Sequence, residues 1–164
     1  MGLDFSIYAK NHEGEDLELA YGRKSWELVY ELVGDDYGGY LDDSKTEWRW
    51  PLITIEDWDR LMEKLNKIGP KLDEIHEAYH GLNIWPDNWV DDNGDMTPKM
   101  RELFGKYCDL CFEYEMWYNQ NFDTAPTLGY DFSVFYMKTF YEADKEVRKY
   151  LNDPNWEVYA VVSY

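Results

Sequence analysis

The chain has 164 residues, with 34 acidic side chains against 16 basic ones and a formal charge of −18. Such a field repels phosphate backbones, which argues against direct nucleic-acid binding and toward a partner with a basic surface, although acidity also serves solubility alone. No uncharged apolar run approaches the roughly 18 residues a membrane-spanning helix needs, so no membrane partner is expected.

The two cysteines, at C-x2-C spacing, do not resemble the bridge framework of a small secreted fold. Met1 to Phe5 shows no basic region leading into an apolar run, so no secretory signal is expected and the cytoplasm of a host cell is the expected compartment. At this length the expectation is a single domain over residues 1–164 with a core of its own.

Taken in chain order, Leu3, Phe5, Ile7 and Ala9 alternate with Asp4, Ser6 and Tyr8, a period of two that predicts a half-buried strand. His12 to Glu15 predicts a turn and Leu17 to Tyr21 a second strand, which closes a hairpin. A helix is expected over about 24–33, with Trp26, Val29, Tyr30 and Val33 on its apolar side and Gly34 ending it.

Met1-Gly2-Leu3-Asp4 opening a strand, followed by Glu18-Leu19-Ala20-Tyr21-Gly22-Arg23-Lys24 before a helix, resembles a group of small uncharacterised phage and prophage proteins. These begin Met-Gly-Leu-Asp and carry a Glu-x-Ala-Tyr-x-Arg-Lys segment. Gly22 stands where that group has a bulky aromatic residue. The resemblance covers about the first third of the chain and implies a mobile-element origin rather than a mechanism.

Residues 34–50, rich in Gly and Asp, predict a loop. Thr54 predicts an N-cap, and Ile55, Trp58, Leu61, Met62, Leu65 and Ile68 form the stripe of a helix that Gly69-Pro70 should stop. A shorter helix is expected from Lys71 to His80. Thr97-Pro98 predicts the start of a long helix reaching about Tyr118, with a loop over 122–129. A last helix is expected from Asp131 to Leu151, stopped by Asn152-Asp153-Pro154. The strand-like run from Trp156 to Tyr164 should pair with the N-terminal hairpin. The expected fold is therefore α+β, a small, mostly antiparallel sheet formed by the N-terminal hairpin and the C-terminal strand and packed by four to five helices.

Two stretches carry candidate chemistry. His76-x3-His80 and Cys108-x2-Cys111 are each spaced to share a helix face, and imidazole with thiolate is a common structural zinc set, so His76, His80, Cys108 and Cys111 are the candidate ligands of a zinc ion. The alternative for these four is ordinary core and core-edge packing. His76-Glu77-Ala78-Tyr79-His80 also matches the H-E-x-x-H pattern in which the glutamate is the general base of a zinc hydrolase, although no third histidine follows. The second stretch is the acidic loop before Met96. Asp91, Asn93, Asp95, Thr97 and Glu102 imitate a calcium loop, but Met96 replaces the glycine of its sharp turn, so an ordinary acidic turn is expected. Trp85 and Trp89 with Asp87, Asp91, Asp92 and Asp95 are read instead as a partner-binding surface.

Charge and resemblance together point to a non-catalytic, acidic binding protein of phage or mobile-element type. It would inhibit a host defence or nucleic-acid-handling protein by occupying a basic surface, as a nucleic-acid mimic, and zinc would then be structural. Two alternatives stay open, a zinc-dependent hydrolase using His76, Glu77 and His80, and a viral structural or assembly protein.

Overall fold

Alternation at the two ends of the chain builds one sheet, and the helical stripes between them supply its cover. The structure is a computed structural model and describes residues 4–35, 37–42, 47–83, 86–126 and 129–163. In order, the elements are β1 (Asp4–Asn11), β2 (Asp16–Arg23), α1 (Trp26–Val33), β3 (Tyr40–Asp42) and β4 (Glu47–Arg49). They continue with α2 (Ile55–Leu82), the single turn α3 (Pro86–Trp89), α4 (Pro98–Asn121), α5 (Tyr130–Glu142), α6 (Asp144–Leu151) and β5 (Trp156–Ser163).

The chain is α+β. β1 is the middle strand of an antiparallel sheet of order β2-β1-β5, so the hairpin and the C-terminal strand pair as expected. Phe5, Ile7 and Ala9 face inward and are fully buried, opposite Ala20 and Gly22 on one side and Val158, Ala160 and Val162 on the other. Each large apolar side chain so buried contributes about 1.5–3 kcal/mol. Gly22 is a packing residue, because a Cβ there would lie 3.3 Å from the Phe140 ring, which itself stacks on Phe5 at 5.5 Å. Ile53 N–H donates to the Val158 carbonyl and Ala160 N–H to the Pro51 carbonyl, which lays residues 51–53 along the free side of β5.

α2 is the hub and packs on α1, α4, α5 and α6. Its start follows the predicted chemistry: the Thr54 hydroxyl accepts from the Asp57 amide, and the Asp57 carboxylate accepts from the Thr54 amide. Its end does not. The helix runs through Gly69-Pro70 to Leu82 as one element of 28 residues, where two helices were expected. Pro70 and Asn66 are both exposed, a setting in which water can replace the amide partner that the Asn66 carbonyl loses, and Gly69 is buried because it receives the Tyr141 ring.

Three further expectations are corrected. The stretch 34–50 is not all loop, because Tyr40–Asp42 pairs antiparallel with Glu47–Arg49. The last helix is two: at Ala143 the chain turns from α5 into α6, after a Thr139 hydroxyl that donates to the Phe135 carbonyl at 3.0 Å, a bond that bends helices. The buried side of α1 is Glu27, Leu28, Val29 and Leu32; of the expected side Val29 is buried and Trp26 and Val33 pack on the core, while Tyr30 is exposed. Tyr30 meets Trp26 and Tyr37 in a cluster of rings 5.3–5.9 Å apart at the edge of the core.

A Cβ at position 69 would stand 2.3 Å from the Tyr141 ring. Gly69→Ala should therefore cost about 1–2 kcal/mol in urea unfolding, the overpacking loss outweighing the gain in helix propensity. In a Tyr141→Leu background the same change should become neutral or stabilising, which a double-mutant cycle measures directly.

Candidate functional site

The outward side of the sheet carries the groove with the richest set of side chains. Tyr8 on β1 and Tyr159 on β5 are register partners and stack at 5.8 Å, as cross-strand aromatic pairs do. Their hydroxyls are fixed by carboxylates, Tyr8 donating to Glu18 at 2.8 Å and Tyr159 to Asp16 at 2.6 Å. The Tyr8 phenol is pushed up first by its bond to Glu18, and Tyr159 first by burial and then by Asp16. Trp48 and Trp50, edge to face at 6.1 Å, close the far side of a cleft of about 670 Å³ that also takes in Lys10 and Arg49. It is open and aromatic, and holds both signs of charge. It suits contact with another surface.

None of the described side chains of the predicted partner surface lines this cleft. Asp91 Oδ1 accepts from the amides of Asn93 and Asp95, and the Asp91 amide donates to the Asp95 carbonyl. The aspartate thus builds its own tight turn, which the bridge between Val90 and Met96 closes. Asp91, Asp92 and Asp95 are exposed on it, and Val90 and Phe104, 44% and 38% exposed, are apolar neighbours. Trp89 packs on Phe104 at 6.1 Å, and its indole N–H is buried with no acceptor among the described residues. Trp85 falls outside the described residues, and only the backbone of Asp87 is described.

The histidine and cysteine pairs each keep their helical spacing. His76 and His80 sit on α2 with ring centroids 4.4 Å apart, and His76 also lies against Phe135 of α5 at 5.9 Å. Burial lowers the His76 pKa, helped by His80 and by Lys138, an environment that favours neutral imidazole. On α4, Cys108 is exposed and Cys111 buried, its thiol raised by burial and bonded to Tyr107, whose phenol is pushed up in turn. His76, His80, Cys108 and Cys111 are not gathered into one ligand set: among the described residues no group of three or more His, Cys, Asp or Glu is placed to hold a metal ion. Two pairs on facing helices need matched rotation as well as matched spacing. Here α2 turns His76 toward Phe135 of α5. Glu77 is exposed beside them and lines none of the clefts described.

One buried polar cluster carried no signal in the expected helix faces. Glu27 is 5% exposed and its Oε2 has no hydrogen-bond partner among the described residues, nor has the hydroxyl of the fully buried Tyr118 near it. Burial raises the Glu27 pKa, and the neighbouring Tyr118 offsets only part of that rise. Next to them Tyr114 and Ser133 share a bond of 2.6 Å, and burial pushes the Tyr114 phenol far up. The helix face containing Leu28 and Leu32 was the available sequence clue, since it carries Glu27 inward with it.

Compared with known proteins, the chain matches no family model, no curated protein and no solved structure.

Because the folded state holds the Glu27 proton more tightly than the unfolded chain does, this group's contribution to stability is full below the ordinary carboxyl pKa of 4.5 and is lost as pH rises through the raised value. Glu27→Gln, which keeps the shape and removes the charge, should stabilise the protein at neutral pH by about 1–3 kcal/mol. Urea unfolding should show that gain shrinking toward zero as the pH is taken below the unfolded value. A gain independent of pH would contradict the assignment.

Proposed function

We propose that this chain is a non-catalytic binding protein whose anionic surface occupies a basic surface on another protein, in the manner of a nucleic-acid mimic. The observation that carries this reading is the exposed acidic turn of Asp91, Asp92 and Asp95 beside the half-exposed Val90 and Phe104. Apolar anchors ringed by charge are how interfaces combine affinity with orientation.

The cations do little to neutralise this surface. Glu31 alone takes both Arg60 and Lys64, at 3.1 and 2.6 Å, and Lys138 is shared by Asp73 and Glu142. With 34 carboxylates against 16 cations, at least 18 have no cation to pair with even at full one-to-one pairing. Their summed field steers a basic partner toward the protein and speeds encounter.

The resemblance of the N-terminal third to phage and prophage proteins supports a host target, a defence or nucleic-acid enzyme in the cytoplasm. No helix among the described residues is long and apolar enough to cross a membrane. The exposed position of Glu77 and the separate settings of the histidines and cysteines favour this reading over the hydrolase one.

Affinity capture of host protein on the immobilised chain should yield a basic partner whose retention falls steeply as salt is raised. Replacing Asp92 and Asp95 by Asn should weaken that complex by about 1–2 kcal/mol, roughly tenfold, mostly through a slower association rate. Retention that ignores salt and both substitutions would refute the proposal.

A further inference from the structure

The outward face of α4 has a composition unlike the rest of the surface. Its inward face buries Leu110, Cys111, Tyr114, Trp117 and Tyr118. On the opposite side Phe104, Cys108, Phe112 and Met116 recur every four residues, one continuous ridge of a helix surface. All four are exposed, and Phe112 at 62% is the most exposed large apolar side chain among the described residues.

Phe112 itself forms one wall of a shallow groove of about 590 Å³, the others being Leu110, Lys71, Lys106, Asp109 and Glu113. A projecting ring and a groove that could receive one therefore sit on the same face, the self-complementarity an interface about a two-fold axis requires. The walls of the groove carry two lysines and two carboxylates, so this patch is balanced within a chain of formal charge −18. Two copies meet with least repulsion there. A basic partner gains nothing from a balanced patch, and this selects a second copy as the occupant.

The helix is also polarised along its length. Before Leu110, Lys99, Arg101 and Lys106 outnumber Glu102 and Asp109, and after it stand Glu113 and Glu115 with no cation. An antiparallel pair sets the basic half of one helix against the acidic half of the other, whereas a parallel pair opposes like charges.

We propose that two copies of this chain associate through the outward faces of α4, antiparallel about a two-fold axis at the level of Leu110, with Phe112 of each seated in the groove of the other. Phe104 is common to this ridge and to the acidic turn, but Phe112 and the groove belong to the ridge alone, so Phe112→Asp distinguishes failure of the dimer from failure of the partner-binding proposal, on which nothing here rests.

Sedimentation velocity on the purified full chain over a range of concentrations tests it. The expected result is a monomer–dimer equilibrium that tightens as salt is added, because salt screens the repulsion between two anions. Phe112→Asp should weaken association roughly thirty-fold or more, the size of an interface hot spot, while circular dichroism and thermal melting stay unchanged because the side chain is exposed. Lys106→Glu and Glu113→Lys should each weaken the dimer, and the two together should restore it. A monomer at every concentration and salt overturns the proposal. So does a dimer that persists in Phe112→Asp, or a double charge swap that fails to recover association.

Discussion

Trp58 has no exposure, and its indole N–H donates to Asp144 Oδ1 at 2.9 Å; the same oxygen accepts from Arg148 Nε at 2.7 Å. Through this one carboxylate the start of α2 is tied to the start of α6, and α6 leads directly into β5. A buried indole must place its N–H, and Asp144 suits the positive end of a helix as well as the indole. The guanidinium of Arg148 reaches on to Asp59 at 2.6 Å, so the bond returns to α2. Sheet and helical layer are thus joined by a polar node at the edge of an apolar contact. The rest of the fold depends on α2 holding its direction from that node to Leu82.

Much of this architecture was legible in the sequence because its signals were local and redundant. The alternation of Phe5, Ile7 and Ala9, the Thr54 cap and the apolar stripe after it each say one thing, and several neighbours agree. Gly69-Pro70 misled because the local rule for a helix stop is conditional. Proline costs a hydrogen bond only if the freed carbonyl is buried, and glycine weakens a helix only if nothing needs the space. The exposed side of Pro70 and the Tyr141 ring over Gly69 reverse both terms, and neither follows from neighbouring residues. The break at Ala143 was hidden for the same reason, since the apolar stripe is continuous across it.

The candidate site was less legible. The acidic turn could be read, because Asp91 folding its own loop is a short-range event. The relation of the histidine pair to the cysteine pair could not, since spacing fixes the face within a helix but not the rotation of one helix against another. Glu27 was missed through a wrong choice of face. Tyr30 looked like a core residue, yet it packs with Trp26 and Tyr37 at the core's edge and leaves the smaller Leu28 and Leu32 to fill the interior. Once α1 turns that way, Glu27 is taken in with it.

The charge distribution shows how so acidic a chain remains folded. A carboxylate is costly when buried and merely repulsive when exposed, so the fold keeps most of its acids on the surface, apart and hydrated. The few cations are placed where packing brings acids near one another: Lys64 and Arg60 under Glu31, Lys138 between Asp73 and Glu142, Arg148 between Asp59 and Asp144. Each of these four spends its charge holding helices together rather than neutralising the acidic turn. The stabilising pairs and the anionic field are therefore two consequences of the same allocation. Adding lysines to the surface would relieve the repulsion and erase the feature that would attract a basic partner.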